Sequence, residues 1–283
     1  MNCAAAIRCT TCPVGCLIPQ GSVGACRARG NVGGSVVPTG YGRVTSLAVD
    51  PIEKKPIARW KPGSTVLSLG GYGCNLHCPW CQNHSISQVG EDEVGWREVS
   101  PEDVVNLAVR LGGEDSRMVG VAYTYNEPLV AWEFVRDCGR LVHQAGLANV
   151  LVSAGCVTPE VMQAVAPLMD AANIDLKSLS EKTYRSLGGD LGAVKANIEL
   201  LAATPTCHLE VTTLVVPGVN DTEDEMRAIA GWLASLDPSI VLHVSRFHPA
   251  HRMRDRGPTS VSLVYRLADV ARERLAHVYT GNC

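Results

Sequence analysis

The sequence lacks a strong net charge of either sign. Its 25 Lys and Arg residues are nearly balanced by 28 Asp and Glu residues, which gives a formal net charge of −3 and a pI near 6.2. A chain of this kind carries no broad positive field, so nucleic acid is not an expected general partner. The net charge therefore argues against general nucleic-acid binding and indicates no other class of function.

Long apolar runs are also absent. No stretch approaches the about 18 uninterrupted apolar residues that a membrane-spanning helix needs, and the first eight residues lack the apolar core of a secretory signal. We therefore expect a cytoplasmic protein without membrane association. Thiols stay reduced in that compartment, so the 12 cysteines of the chain indicate metal sites rather than disulfides.

The first part of the chain is rich in Cys, Gly and Pro and shows no helical periodicity. We interpret residues 1–62 as a small metal-binding module. Its expected ligands are the four cysteines Cys9, Cys12, Cys16 and Cys26. Four thiolates can close a zinc site or hold an auxiliary iron–sulfur cluster, and their spacing does not separate the two. Ligation would supply much of the folding free energy, because so short a segment buries little apolar surface.

From Thr65 onward the pattern changes to strands that alternate with helices, which indicates βα units around a parallel sheet. An eight-unit barrel averages about 250 residues, so the segment from Val66 to Ala276 holds roughly six units. We therefore predict an α/β fold for residues 63–283, a partial (β/α)6 TIM-like barrel. Barrel enzymes carry their functional residues at the C-terminal ends of the strands, which is where candidates should be sought.

The most informative motif follows the first predicted strand of this barrel. Cys74, Cys78 and Cys81 form a C-x3-C-x2-C pattern in one short loop. With cysteine at roughly 4% of the chain, chance would produce this pattern about 0.02 times. Three thiolates leave one iron of a [4Fe–4S] cube without a protein ligand, whereas electron-carrying ferredoxins use four. The alternative is a structural zinc site completed by His77 or His84.

The motif resembles the signature of the radical S-adenosylmethionine (SAM) superfamily, C-x3-C-x-aromatic-C, with Trp80 in the aromatic position. The resemblance implies a [4Fe–4S] cluster whose open iron binds the amino and carboxylate groups of SAM. It also implies reductive cleavage of SAM to methionine and a 5′-deoxyadenosyl radical, with electrons from a low-potential donor of the flavodoxin or ferredoxin type. Trp80 would then lie beside the adenine through its local backbone.

Polar residues at other predicted strand ends are candidates for SAM binding. Asp175 and Lys177 lie on one face because side chains alternate along a strand, and they suit the ribose hydroxyls and the SAM carboxylate. The alternative is a surface ion pair of little energetic value. Glu127, in a Tyr-Asn-Glu-Pro turn, could face the SAM ammonium group together with backbone carbonyls, or could be an ordinary helix-capping acid.

A resemblance to the activating enzymes of glycyl radical enzymes assigns further residues. Asn126 and Glu127 occupy the place of a Gly-Gly-Glu-Pro-like turn that contacts the SAM amino group in those enzymes. Ser153 keeps the hydroxyl of their Thr-Asn-Gly motif, and they share the Asp-Leu-Lys sequence that begins at Asp175. His248, after the sixth strand, matches a SAM-contacting histidine, with a purely structural histidine as the alternative. No residue is assigned as a catalytic acid or base.

The sequence resembles more closely the AmmeMemoRadiSam-system radical SAM family, a group similar to pyruvate formate-lyase activating enzyme. Besides the four-cysteine module it is carried by residues 46–56, 81–83, 123–128, 215–221, 244–249 and 279–282. The sequence departs from this family at Cys156, where an aromatic residue is commoner.

The family resemblance implies an oxidoreductase of the activating-enzyme class (EC 1.97.1), which takes hydrogen from a glycine of a partner protein. Fold kinship alone does not fix the substrate. One alternative is a radical SAM enzyme that acts on a small molecule or on another kind of protein. The other is a non-catalytic iron–sulfur or zinc protein.

Overall fold

The computed structural model describes residues 6–283. In chain order its strands are β1 (Ile7–Arg8), β2 (Leu17–Ile18), β3 (Arg29–Val32), β4 (Ser35–Pro38), β5 (Arg43–Val44), β6 (Ser46–Pro51), β7 (Thr65–Gly70), β8 (Arg97–Glu98), β9 (Met118–Tyr123), β10 (Ala148–Ser153), β11 (Ala171–Asp175), β12 (His208–Val215), β13 (Val241–Arg246) and β14 (His277–Gly281). The α-helices are α1 (His84–Ser87), α2 (Pro101–Glu114), α3 (Trp132–Gln144), α4 (Pro159–Val165), α5 (Glu181–Ser186), α6 (Leu191–Ala202), α7 (Glu223–Leu236) and α8 (Val261–Arg272).

One eight-stranded sheet dominates the fold, in the order β14-β13-β12-β11-β10-β9-β7-β6. Strands β7 and β9 to β14 pair in parallel, and β6 runs antiparallel to β7 at one edge. All six strands expected from the sequence are present, so the predicted α/β partial barrel is confirmed. The pattern missed β6 and β14 because both are largely exposed or half-buried and lack the continuous apolar run of a central parallel strand.

Local signals explain where the helices begin. Ser100 accepts a hydrogen bond from the backbone N–H of Asp103, and the Asp103 carboxylate returns to the backbone of Ser100, so α2 starts with a complete capping box. Thr222 caps α7 in the same way through the N–H of Glu225. The Glu225 carboxylate, however, binds the Ser178 hydroxyl instead of returning to Thr222. The capping box is therefore only half formed at α7, because Glu225 ties this helix to the loop after β11.

The N-terminal halves of two central strands are closed by the segment between β6 and β7. Glu210 of β12 accepts hydrogen bonds from the N–H groups of Ala58 and Arg59, and Asn173 of β11 donates to the Pro56 carbonyl. The opposite, C-terminal ends of the strands carry the cysteine loop. This arrangement leaves one end of the barrel for chemistry, as the fold class requires.

The residues before β6 form short antiparallel pairs, β1 with β2 and β3 with β4, while β5 pairs with β8. The Arg29 guanidinium attaches this region to α3 by donating two hydrogen bonds to the Glu133 carboxylate. Because β6 already belongs to the large sheet, packing with the barrel begins before residue 62. The division of the chain into two domains stays a prediction. Among the helices described, none has the length and apolar character needed to cross a bilayer.

Candidate functional site

The C-x3-C-x2-C cysteines lie in the loop between β7 and α1, at the C-terminal end of β7. Cys78 is buried, and Cys74 and Cys81 are partly exposed. Burial raises the pKa of Cys78 to about 11 and raises the pKa of Cys74 well above its ordinary value. These thiols therefore hold their protons near neutral pH until a metal displaces them, which is how thiolate ligation couples to metal binding.

The zinc alternative for this loop finds no support in its histidines. His77 Nδ1 lies 3.2 Å from the Gln88 side-chain oxygen, and His84 Nδ1 lies 3.2 Å from the Cys81 carbonyl. Within residues 6–283, no three His, Cys, Asp or Glu side chains converge as a single metal ion would require. A cube distributes its thiolates over separate iron atoms, so it does not need that convergence.

Two asparagines hold the cysteine loop against the end of β9. Asn126 donates from its side-chain nitrogen to the carbonyl oxygens of Tyr72 at 3.1 Å and Gly73 at 3.0 Å. Asn83 donates to the Tyr125 carbonyl at 2.8 Å. The Asn126 amide is thus occupied by loop backbone, and any contact it makes with SAM falls to its own main chain. Asn83 was not expected, because nothing in the sequence pairs it with a turn 42 residues away.

Glu127 and Ser153 join the ends of β9 and β10. The buried Glu127 carboxylate accepts hydrogen bonds from the Ser153 hydroxyl at 2.8 Å, the Ala154 N–H at 2.8 Å and the Leu129 N–H at 3.0 Å. Burial raises the pKa of Glu127, and these hydrogen bonds oppose that rise only in part. The bond to Leu129 is the capping role considered for this acid. A carboxylate offers about four lone-pair sites, so about one is left for an ammonium group.

Asp175 and Lys177 form an ion pair that faces the cysteine loop. Lys177 Nζ donates to Asp175 Oδ2 at 3.0 Å, with the lysine side chain only 14% exposed. Burial alone would lower the pKa of Lys177, but the Asp175 carboxylate outweighs it and raises the pKa well above its ordinary value. The positive charge of the lysine opposes in part the rise that burial causes in the pKa of both Cys74 and Cys78. The lysine side chain is thus largely buried while the carboxylate is partly exposed, and the assignment of both to SAM stays a prediction.

The two remaining candidates contribute differently. Trp80 is 6% exposed and packs in the main apolar core, so its backbone is the part left for a bound nucleoside. His248 is exposed at the C-terminal end of β13, with Nε2 at 3.2 Å from the Asn282 carbonyl. That contact needs a proton on Nε2, which leaves Nδ1 as an acceptor in the neutral ring.

Two further residues, which the sequence did not single out, fix the backbone of Lys177. The buried Tyr184 hydroxyl accepts a hydrogen bond from the Lys177 N–H at 3.0 Å, and Asn220 donates to the Lys177 carbonyl at 2.7 Å. Asn220 lies in one of the stretches that carried the family resemblance, which was the only available signal. The Asn220 contact joins segments 43 residues apart, whereas Tyr184 lies only seven residues beyond Lys177.

Residues 69–233 match the sequence profile of the radical SAM superfamily. The matched segment exceeds half of the chain and contains all three loop cysteines, so the protein belongs to the radical SAM superfamily. Membership implies a [4Fe–4S] cluster and SAM as cofactors. The donor set at the C-terminal edge of the sheet fits them, with three thiolates for iron and, at the end of β11, a largely buried ammonium group paired with a partly exposed carboxylate.

Individual comparisons reach different parts of the chain. An uncharacterised protein of Methanocaldococcus jannaschii is 37% identical over 278 residues, covering 98% of this chain and 81% of that protein. The isethionate sulfite-lyase activating enzyme of Oleidesulfovibrio alaskensis is 25% identical over 136 residues, covering 47% of this chain and 42% of that enzyme. A crystal structure of a domain of pyruvate-formate lyase-activating enzyme from Bacteroides vulgatus shares the fold, with a TM-score of 0.50 at 20% identity over 57% of this chain and 98% of that domain.

Proposed function

We propose that this protein cleaves SAM reductively at a [4Fe–4S] cluster held by Cys74, Cys78 and Cys81, and that the resulting 5′-deoxyadenosyl radical takes a hydrogen atom from a substrate. The observation that carries the proposal is the position of the three cysteines, in the loop at the C-terminal end of β7, on the same edge of the sheet as the Asp175–Lys177 ion pair. Bound at this edge, the cluster and SAM supply one-electron chemistry that no side chain can provide.

The side chains of this edge bind and orient. Lys177 offers a charge-assisted hydrogen bond to the SAM carboxylate, and Asp175 offers acceptors to the ribose hydroxyls. The link between Glu127 and Ser153 fixes the spacing of the two strand ends on which the SAM amino group would rest. Trp80 packs below the loop and keeps water from that side.

For the substrate, we propose a glycine of a partner protein, which makes this chain an activating enzyme for a glycyl radical enzyme. The support is the similarity to the isethionate sulfite-lyase activating enzyme, which covers less than half of either chain. The required electrons would come from a low-potential protein of the flavodoxin or ferredoxin type, because SAM cleavage lies beyond the reach of ordinary flavin or nicotinamide potentials.

Anaerobic reconstitution with iron and sulfide, followed by dithionite and SAM, tests the cleavage. We expect 5′-deoxyadenosine and methionine from the wild-type protein and from Cys283→Ala, which removes an exposed thiol outside the site. The Cys74→Ala protein should give neither product. Equal product from wild-type and Cys74→Ala proteins would reject the assignment.

The substrate class is tested separately, with isethionate sulfite-lyase and pyruvate formate-lyase as probe proteins. An activating enzyme should leave an electron paramagnetic resonance (EPR) signal of a glycyl radical on at least one of them. SAM cleavage without a radical on either probe, accompanied by deuterium transfer from a small molecule to 5′-deoxyadenosine, would instead favour a small-molecule enzyme.

A further inference from the structure

The four N-terminal cysteines surround one cavity. The cavity is lined by Cys9, Cys12, Cys16 and Cys26, and all four are free thiols. Backbone N–H groups face three of their sulfur atoms, from Val14 to Cys12, from Ala25 to Cys16, and from Ala28 and Arg29 to Cys26. Hydrogen bonds of this kind stabilise thiolates and tune metal-bound sulfur. The cavity is thus prepared for an anionic, sulfur-ligated centre.

A buried positive charge lies in the wall of the same cavity. Arg29 is 5% exposed, and its terminal nitrogens bind the Glu133 carboxylate at 2.8 and 2.9 Å. Its Nε is buried without a hydrogen-bond partner in the part of the chain that is described. Arg29 lines the same cavity as Cys9 and Cys26, which places its charge beside them. An orphaned buried donor next to four thiols indicates an anion that completes the site.

Within residues 6–283 the four thiols line one cavity but form no group that would hold a single metal ion. In a tetrahedral zinc site the four sulfur atoms lie ~2.3 Å from one ion, and therefore roughly 3.8 Å from each other. No such convergence of three or more ligands occurs in residues 6–283, although all four cysteines face one cavity. In the same described residues, the cysteines of the SAM loop also form no such group. A cube accounts for both, because each thiolate binds a different iron.

The cavity touches the SAM-binding loop. Asn75, which directly follows Cys74, lines the cavity, and its side chain contacts the Cys12 sulfur. Gly73, which directly precedes Cys74, packs so closely that a Cβ there would lie 2.3 Å from the Cys26 carbonyl oxygen. Since consecutive Cα atoms are about 3.8 Å apart, the two cysteine sets are separated by on the order of 10 Å.

The other side of the cavity reaches solvent. Val14, which lines it, is 40% exposed. The order along this path is therefore surface, four cysteines, Asn75 and the SAM loop. An external protein can therefore approach the four cysteines from the surface without reaching the SAM loop.

We propose that Cys9, Cys12, Cys16 and Cys26 hold a second [4Fe–4S] cluster, which relays electrons to the SAM-binding cluster. A low-potential one-electron donor protein reduces the second cluster from the 2+ to the 1+ state and is itself oxidised by one electron. The second cluster returns to the 2+ state when that electron passes to the cluster at Cys74. No atoms move in the relay. This inference rests on the proposed SAM cleavage.

The first test measures metal content and spin in the whole protein. After anaerobic reconstitution we expect about eight iron atoms per wild-type chain and about four in both Cys12→Ser/Cys26→Ser and Cys74→Ala/Cys78→Ala/Cys81→Ala, since each set would bind one cube. Two reduced clusters this close should broaden each other's EPR signal in the wild type, and each variant should give a simple signal. One zinc and about four iron atoms per wild-type chain would overturn the proposal.

The second test compares two electron sources. In Cys12→Ser/Cys26→Ser, we expect SAM cleavage driven by reduced flavodoxin to fall at least about ten-fold relative to dithionite-driven cleavage, which in energy is a loss of about 1.4 kcal/mol in the transfer step. Cys283→Ser is the matched control and should keep the wild-type ratio. An unchanged ratio in the double variant would reject the relay.

The outcomes separate this inference from the proposed function. If wild-type protein fails to cleave SAM even with dithionite, the proposed function fails. If dithionite-driven cleavage is normal while iron content stays at about four per chain, only the second cluster fails.

Discussion

The two cysteine sets of this protein are supported in different ways. The SAM loop follows β7, a central strand whose six residues are all buried, and Asn126 and Asn83 attach it to the next strand end. The N-terminal cysteines Cys9 and Cys16 instead flank β1 and β2, which are two-residue strands. A short two-stranded hairpin is marginally stable on its own. The barrel therefore shapes the first site, whereas the second depends on what it binds.

Apolar packing repeats the contrast. Cys78 and Trp80 belong to the main core of the barrel. The small cluster at Cys26 and Ala28 is completed by Tyr72 and Val130, both from the barrel side of the chain. The N-terminal region thus takes part of its core from its neighbour, so damage to it should not spread far into the sheet.

The largest effect should come from removing a cysteine ligand of the SAM loop, which is the site that the barrel supports. Cys78→Ala should lower SAM cleavage at least about a thousand-fold, because the cube loses a ligand and SAM loses its iron. The fold should survive, since the surrounding sheet needs no metal. 5′-Deoxyadenosine measured by mass spectrometry, with circular dichroism as the folding control, checks both statements. Substantial cleavage by a folded Cys78→Ala protein would contradict the ligand assignment.

Metal removal should separate the two regions directly. Chelation under anaerobic conditions should raise amide hydrogen exchange in residues 7–32 by about 100-fold, because ligation supplies much of their folding free energy. Exchange in β7, β9 and β10 should change little. Mass spectrometry of peptides from both regions provides the comparison. An equal rise in amide exchange in these strands and in residues 7–32 would show that the barrel also depends on metal.

Lys177 tests whether the barrel edge binds SAM as its geometry suggests. Lys177→Ala should raise the KM for SAM about 10- to 100-fold, because a charge-assisted hydrogen bond contributes about 1.5–3 kcal/mol. Lys182→Ala, at an exposed position of α5, is the control. Iron content should be unchanged in both. A KM equal to that of wild type would leave Asp175–Lys177 as a structural pair.

Sequence reasoning succeeded where the determinants are local. The three cysteines of the SAM loop lie within eight residues, and the buried strands are visible in the sequence as apolar runs. The cluster loop and six strands were therefore predictable. Asn126, Asn220 and Glu225 act through contacts with distant segments, which no local pattern encodes. The adjacency of Asn75 to Cys12 belongs to the same class, since it depends on how the N-terminal region docks.

The smallest predicted effect concerns the barrel alone and comes from Glu210. Burial by itself would raise its pKa, but hydrogen bonds from His208, His243 and the Ala58 and Arg59 N–H groups outweigh it and lower the pKa to about 2. A lowered pKa in the folded state stabilises the protein fully above the unfolded value of about 4.5, and this contribution disappears as the pH falls towards 2.

Glu210→Gln should therefore lower the free energy of unfolding by roughly 1–3 kcal/mol at pH 7, and flatten its pH dependence between about pH 5 and pH 2. Urea unfolding at pH 7, 5 and 3.5 measures this, with Glu199→Gln on the exposed side of α6 as the control. The slope should be reduced in the first variant and unchanged in the second. Because Glu210 anchors the segment that closes the end of the barrel opposite the cysteine loop, an equal acid slope in both variants would mean that this closure contributes nothing to barrel stability.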